Sequence, residues 1–401
     1  MQRNRTKTFM KPIGIIIAAT LLSACISAPD HRLSAVCETD TVRLDADFDG
    51  GGMLGCEVGR DDVIDVWIRP EDMPINPSPW YAVRATPKSA GRVDLRLRYE
   101  HHPHRYRPKV RTANGDWLLV PETDVEISRK GHRVDIALTL QQDPVFVAGQ
   151  ELLTVDDYDH WMADLSSRDT VSLVEIGESR QGRPINMMFT EPTEAALGSV
   201  ILVGRQHPPE VTGALGMLAF VEEVLGDSAL AVAFRARFGL TIVPLMNPDG
   251  VTLGHWRHNT GGVDLNRDWG PFTQQETIVV RDVIDALAAN PETAPVFFLD
   301  FHSTRRNVFY TQFVGEDGTD YGFTAEWLSR SRARLPNYQF ERAERSQTEL
   351  PTSKNYMHGR FGIPAITYEV GDETDRAALT EGARVLAQEM MQVLLERHST
   401  P

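Results

Sequence analysis

Ser199-Val-Ile-Leu-Val-Gly-Arg-Gln-His-Pro-Pro-Glu210 carries fold information in its first half and chemistry in its second. A strand with one wet face alternates apolar and polar residues. The unbroken run Val200-Ile-Leu-Val203 therefore reads as a strand buried on both faces. Gly239-Leu-Thr-Ile-Val243, Val296-Phe-Phe-Leu299 and Ala365-Ile-Thr-Tyr368 repeat the pattern. Helical stretches fill the gaps, over residues 213–225, 274–289, 325–335 and 376–397. Strands alternating with helices predict an α/β fold for residues 151–397, a mixed sheet covered by helices on both faces.

In such sheets, sites form in the loops at the carboxyl ends of the strands. The chemically loaded fragments stand at those points. They are His207-Pro-Pro-Glu210, Asn247-Pro-Asp-Gly250 running on to Gly262-Val-Asp-Leu-Asn-Arg267, Asp300-Phe-His-Ser303, and Thr367-Tyr-Glu369. A lone His-x-x-Glu is common by chance. Here a second histidine, His302, leaves another strand. Two imidazoles and a carboxylate suit zinc, and leave its fourth position open for water as in a catalytic site.

Upstream, residues 37–148 have a different texture. Val63-Ile-Asp-Val-Trp-Ile68, Tyr81-Ala-Val-Arg-Ala85, Val93-Asp-Leu-Arg-Leu-Arg-Tyr99, Trp117-Leu-Leu-Val120 and Val134-Asp-Ile-Ala-Leu-Thr-Leu140 are short strands split by Pro, Gly and Asn. This predicts an antiparallel β-sandwich domain. The basic cluster of residues 101–109 reads as a solvated β-turn region.

The first 24 residues read as an export signal. Arg3, Arg5, Lys7 and Lys11 precede a short apolar core, and Leu22-Ser-Ala-Cys25 closes it. The form resembles a bacterial lipoprotein signal, which implies lipidation of Cys25 and a tether over residues 25–36. The residue after it, Ile26, implies the outer membrane, with the protein facing the periplasm. Losing those four basic residues, and no acidic ones, takes the net charge from −15 to −19. Such acidity excludes nucleic acid as a partner and electrostatic docking on anionic lipid. Cys37 and Cys56 remain as an even pair in an exported chain. They predict a disulfide closing a loop of about 20 residues, worth about 3 kcal/mol.

Residues 151–397 resemble the M14 zinc carboxypeptidases, the funnelin family of carboxypeptidase A. The resemblance implies one Zn2+ per chain on His207, Glu210 and His302. Gly262-Val-Asp-Leu-Asn-Arg-Asp-Trp269 matches the family's G-V-D-x-N-R-x-W motif, which implies that Asn266 and Arg267 clamp a substrate's terminal carboxylate. Trp256-Arg257 matches the oxyanion-stabilising arginine, and Thr367-Tyr-Glu369 the general base. The sandwich ahead of such a domain resembles the cytosolic-carboxypeptidase subfamily and its bacterial relatives. Pro209 replaces an arginine of the pancreatic enzymes. Tyr338 and Tyr356 are the candidates for the substrate-capping tyrosine. Fifteen positions before Glu369, where the family selects the last residue, stands Lys354. An ammonium there implies a preference for acidic C-terminal residues; Arg305 and Arg306 are other sources of positive charge. His255 and His258, beside Arg257, read as solvated loop histidines.

The expected function is a metallocarboxypeptidase acting on peptide or protein C-termini. Two alternatives remain at this point. One is an amidase trimming peptidoglycan stem peptides; the other is a catalytically inactive peptide-binding lipoprotein.

Overall fold

The computed structural model describes residues 33–112, 115–312, 322–344 and 349–398. The signal segment and Cys25 lie outside them.

Strands between Val36 and Ala148 form two sheets. One runs in the order Val36–Glu38, Val42–Asp45, Ala82–Pro87, Val145–Ala148, Lys109–Thr112, Leu118–Leu119. The other runs Gly55–Val58, Ile64–Ile68, Gly91–Tyr99, Arg133–Leu140, Val125–Ile127. Alternation decides which face is core: Val93, Leu95, Leu97 and Tyr99 are buried, whereas Arg92, Asp94, Arg96 and Arg98 point outward. Every pairing is antiparallel except Ile64–Ile68 with Gly91–Tyr99, which is parallel. A tight hairpin cannot join parallel strands. The chain crosses between them through Ala82–Pro87 of the other sheet. Cys37 and Cys56 are disulfide-bonded, Cα–Cα 6.0 Å, and tie an edge strand of one sheet to an edge strand of the other.

The third sheet has eight strands, in the order Ser172–Glu178, Pro184–Thr190, Gly239–Val243, Ser199–Gly204, Pro295–Thr304, Ala365–Gly371, Val308–Thr311, Glu341–Glu344. Its four middle strands are parallel, and antiparallel neighbours flank them. The continuous apolar runs now make sense. Val200 and Leu202 face one core, with helices Val211–Val224 and Arg376–His398; Ile201 and Val203 face the other, with helix Gln275–Ala288. Each such buried aliphatic side chain is worth about 1.5–3 kcal/mol, so neither face tolerates the polar residues a half-exposed strand would carry.

From Ser199–Gly204 the chain goes to Gly239–Val243 on one side, then returns to Pro295–Thr304 on the other. That reversal opens a crevice at the carboxyl ends of these strands. Residues from Leu33 onward form one compact unit. Trp256 and Val211, from the α/β part, lie within the β-rich core.

Candidate active site

His207 lies three residues beyond strand Ser199–Gly204, and Glu210 precedes the first residue of helix Val211–Val224. The Glu210 carboxylate makes no capping bond to that helix. It turns instead to two imidazoles: Oε1 lies 2.9 Å from His207 Nδ1, and Oε2 lies 2.7 Å from His302 Nδ1. The helix can approach the His302 strand because residue 213 is glycine. A Cβ there would lie 2.2 Å from the His302 carbonyl oxygen. Ser303 Oγ accepts the Gly213 N–H at 2.7 Å and fixes the approach.

The donor set fits a cation. His207 Nδ1 and His302 Nδ1 are 3.2 Å apart and face the same carboxylate. On the far side of each ring stands a carboxylate: Asp264 Oδ1 at 2.8 Å from His207 Nε2, and Asp300 Oδ2 at 2.8 Å from His302 Nε2. When each Nε2–H donates to its carboxylate, both Nδ1 atoms present lone pairs to the point where Glu210 also presents an oxygen. Among the described residues, these three form the cluster able to hold a metal ion. The electrostatics agree. Burial alone would raise the Glu210 pKa, but His207 and His302 outweigh it and hold the carboxyl well below its usual range. Burial works against a charged His302, yet Asp300 and Glu210 raise its pKa well above the ordinary imidazole value. The cluster calls for positive charge at its centre.

Glu369 stands beside His302 by register: the two are paired Cα neighbours on parallel strands. The residue is partly exposed, but its Oε2 is buried and has no hydrogen-bond partner among the described residues. Burial, then the neighbouring Glu210, pushes its pKa up to about 7. Arg257 is buried; its Nε donates to Asp264 Oδ2 at 2.7 Å, and its Nη1 lies 3.9 Å from Glu210 Oε1. Arg267 is exposed, and its guanidinium donates to the Asn266 carbonyl at 2.7 Å. Asn266 is more enclosed. Its Oδ1 accepts from the Ser353 amide and its Nδ2 lies 3.2 Å from His302 Nε2. All these groups line one cavity of about 300 Å3, together with Arg305 and, from the β-rich part, Asn76, Ser78 and Arg105.

Lys354 is not among the lining residues. It is buried in the first turn of helix Ser353–Phe361, next to the Ser353 that bonds Asn266, and its ammonium donates to Asn355 Oδ1 at 2.8 Å. Burial lowers its pKa to about 8. Tyr338 is packed in the core against Tyr368, and Tyr356 packs on Trp269 and Phe272. Neither lines the cavity. Asn247 and Asp249 serve the loops: Asn247 bonds the Gly250 amide and the Gln206 carbonyl, while Asp249 accepts from Ser179, Arg183 and Thr260.

Two readings of the sequence are corrected. The basic cluster is not a solvated turn, because Arg105 and Lys109 are drawn into contacts with the turn that follows Glu369. Arg105 forms a two-pronged pair with Asp372, at 2.8 and 3.1 Å, and Lys109 reaches Glu373 at 3.3 Å. His258 is not solvated either; it is buried, with Nδ1 2.6 Å from Asp72 Oδ1. The carboxylates behind His207 and His302 are the site residues that the sequence did not single out. Asp264 lies inside a quoted motif, and Asp300, two residues before His302, points to the same face of its strand.

The comparisons agree with this geometry. A family model described as zinc carboxypeptidase matches residues 158–391, more than half of the chain. Cytosolic carboxypeptidase 6 of Mus musculus is 25% identical over 300 residues, 68% of this chain. The chain spans only 56% of that protein's length. An uncharacterized protein of Zymomonas mobilis is 25% identical over 309 residues, 73% of this chain and 78% of its own. The crystal structure of a metallo-carboxypeptidase from Burkholderia cenocepacia shares the fold, with a TM-score of 0.74, 22% identity and coverage of 90% of this chain and 99% of that one. The ligand cluster, the strand order that creates it and the matched residues together establish that this chain belongs to the M14 family of zinc carboxypeptidases.

Proposed function

We propose that this protein is a zinc-dependent carboxypeptidase that removes the last residue of a peptide or protein chain, with a preference for acidic residues. One observation carries the reading: among the described residues, a three-residue cluster able to hold a metal, a carboxylate with an unpartnered oxygen beside it, and a guanidinium with no carboxylate partner share one cavity.

His207, Glu210 and His302 would hold the ion, which when bound polarises the scissile carbonyl and acidifies water. Glu369 accepts the water proton at Oε2 and passes it to the leaving amine; a carboxylate near pH 7 can do both. Arg257 meets the negative charge that develops on the carbonyl oxygen. Arg267 has no carboxylate within ion-pair distance among the described residues, so its planar fork is available for a chain terminus. Asn266 sets the depth of that clamp through its fixed amide.

The acidic preference rests on Lys354 and Arg305. Lys354 is buried, and no described carboxylate pairs with it; Arg305 is exposed at the cavity. A buried ammonium off the cavity lining, whose described partner is the neutral Asn355 amide, and an exposed guanidinium on the lining both favour a ligand that brings the opposite charge. The proposed location is the periplasmic face of the outer membrane, through a lipid on Cys25. That rests on the amino-terminal sequence and is supported by the disulfide chemistry of Cys37 and Cys56.

The test is mass spectrometry of a peptide library and of peptidoglycan stem peptides after incubation with the zinc-loaded protein. Release of single C-terminal residues from ordinary peptides is expected. Cleavage of stem peptides alone would replace the proposal with the amidase reading. His302→Ala should hold far less than one equivalent of zinc by metal analysis; full occupancy would sink the ligand assignment.

A further inference from the structure

We propose that Glu71, from the β-rich part of the chain, is a positioning residue for Arg257. Glu71 lies three residues beyond strand Ile64–Ile68. Its carboxylate accepts three consecutive backbone N–H groups: Trp256 at 2.7 Å, Arg257 at 2.9 Å and His258 at 2.6 Å. Hydrogen bonds to an ionised acceptor are the strong ones, and three successive amides converging on one anion fix the orientation of a whole loop.

The same loop is pinned from the same side by other contacts. The Trp256 side chain is 1% exposed and sits in the β-rich core. Asp72 takes His258 Nδ1. At Gly254, φ is +62° and an added Cβ would lie 2.3 Å from the Gly51 carbonyl oxygen, so the loop is pressed onto the β-rich part. From the α/β part, Asp264 and Glu210 face the guanidinium at the far end. The arginine is thus stretched between two anchors. Glu71 sets where its backbone starts, and Asp264 sets where its guanidinium ends.

A dipole or charge that stabilises a transition state must be in place before the reaction, and a displacement of about 1 Å can cost about 100-fold in rate. Glu71 therefore acts on turnover through Arg257, without touching substrate. The inference rests on the proposed role of Arg257, and the test separates the two.

Full-length, zinc-loaded protein is compared as wild type, Glu71→Ala, Glu71→Gln, Arg257→Ala and the double variant Glu71→Ala/Arg257→Ala. The substrate is whichever N-blocked peptide ending in Glu, Leu or Lys the wild type cleaves fastest. Arg257→Ala should lower kcat by about 100-fold or more. Glu71→Ala should lower kcat by about 10-fold, part of the cost of full misplacement, with KM within about two-fold and zinc content unchanged. Glu71→Gln should recover part of the loss, because it keeps one oxygen for the Arg257 and His258 amides. In the Arg257→Ala background, Glu71→Ala should change kcat by less than about two-fold, since the group it positions is gone. Wild-type kcat in Glu71→Ala overturns the inference. So does an equal loss in both backgrounds, which marks a structural role alone. An Arg257→Ala protein with wild-type kcat overturns the reading of Arg257 itself. Should Glu71→Ala fail to fold, Glu71→Gln carries the same comparison.

Discussion

Asp264 is the residue whose replacement tests the site most sharply, because one carboxylate serves two catalytic groups. Oδ1 holds His207 Nε2 at 2.8 Å and Oδ2 holds Arg257 Nε at 2.7 Å. The group is firmly ionised: burial opposes this, but His207 and Arg257 hold its pKa below the usual carboxylate range. A carboxylate behind a ligating imidazole fixes the ring and raises its basicity. Losing one weakens metal affinity by about 10–100-fold, or about 1.4–2.8 kcal/mol. The usual conservative replacement helps only in part here. Asparagine offers one oxygen, and either orientation turns its NH2 toward an N–H donor on His207 or Arg257. The Asn266 N–H also donates to Oδ1, at 2.9 Å, so an asparagine oxygen stays on the His207 side and its NH2 meets Arg257. Asp264→Ala is expected to lose zinc affinity, measured by competition with a chromogenic chelator, and Asp264→Asn to lose less while still releasing Arg257. At saturating zinc a second defect should remain, a loss of about 10-fold in kcat from the released Arg257, less than the ~100-fold for removing such a donor outright. Asp300→Asn changes the carboxylate behind His302, which also accepts from Gln206 and Ser353 but makes no bond to Arg257 among the described residues, so saturating zinc should restore most of its turnover. An Asp264→Ala protein with wild-type zinc affinity, or an Asp264→Asn protein with wild-type kcat, would refute the bridging role.

Other expectations follow from single groups. Glu369→Gln should keep one zinc by metal analysis yet lose about 100–10,000-fold in kcat, because an amide cannot accept the water proton; near-native turnover would move the base elsewhere. Lys354, with its pKa lowered to about 8 by burial, is charged below that pH and neutral above it. The rate ratio for peptides ending in Glu and Leu should therefore be full at pH 7, fall as pH rises through 8, and shrink in Lys354→Ala to the part that Arg305 supplies; an unchanged ratio in Lys354→Ala would exclude Lys354 from specificity. Cys25→Ser should move the protein from the membrane fraction to the soluble one, and unchanged partition would remove the lipid anchor.

What the sequence exposes depends on how local the signal is. The four middle strands of the large sheet were legible as unbroken apolar runs because both their faces are covered. Their carboxyl ends were legible as sites because polar fragments followed them. The edge strand Ser172–Glu178 was not: its side chains are largely exposed, and it is held by backbone pairing with Pro184–Thr190 rather than by a burial pattern. Helix Ser353–Phe361 also escaped, being short and marked chiefly by its Thr352 and Gly362 caps. The candidate metal ligands could be named because each residue type announces its chemistry. Asp264 could not be given a role, since its partner His207 is 57 residues away and an aspartate in a loop has many uses. Arg105 was misread for the same reason, with Asp372 lying 267 residues downstream.

Those long-range contacts share a direction that sequence spacing hides. Glu369 lies near the end of a strand of the α/β part and Arg257 in one of its loops, and the β-rich part grips the chain close to both. Behind Glu369, the turn at residues 371–376 is held by Arg105 on Asp372, by the Gln150 amide on the Asp372 carbonyl, and by Arg376 on Glu151. At Arg257, Glu71 takes three amides. The sheet register alone places Glu369 beside His302, so the base is fixed from both its strand and the turn beyond. Arg257 has no strand to fix it, because it lies in a loop outside the sheet. Its position depends on the β-rich part far more than that of Glu369 does. Mutations along that contact should accordingly fall first on the step that stabilises the carbonyl oxygen, and only later on metal binding, for which His207, Glu210 and His302 are held by a strand and a strand-to-helix turn of the α/β part.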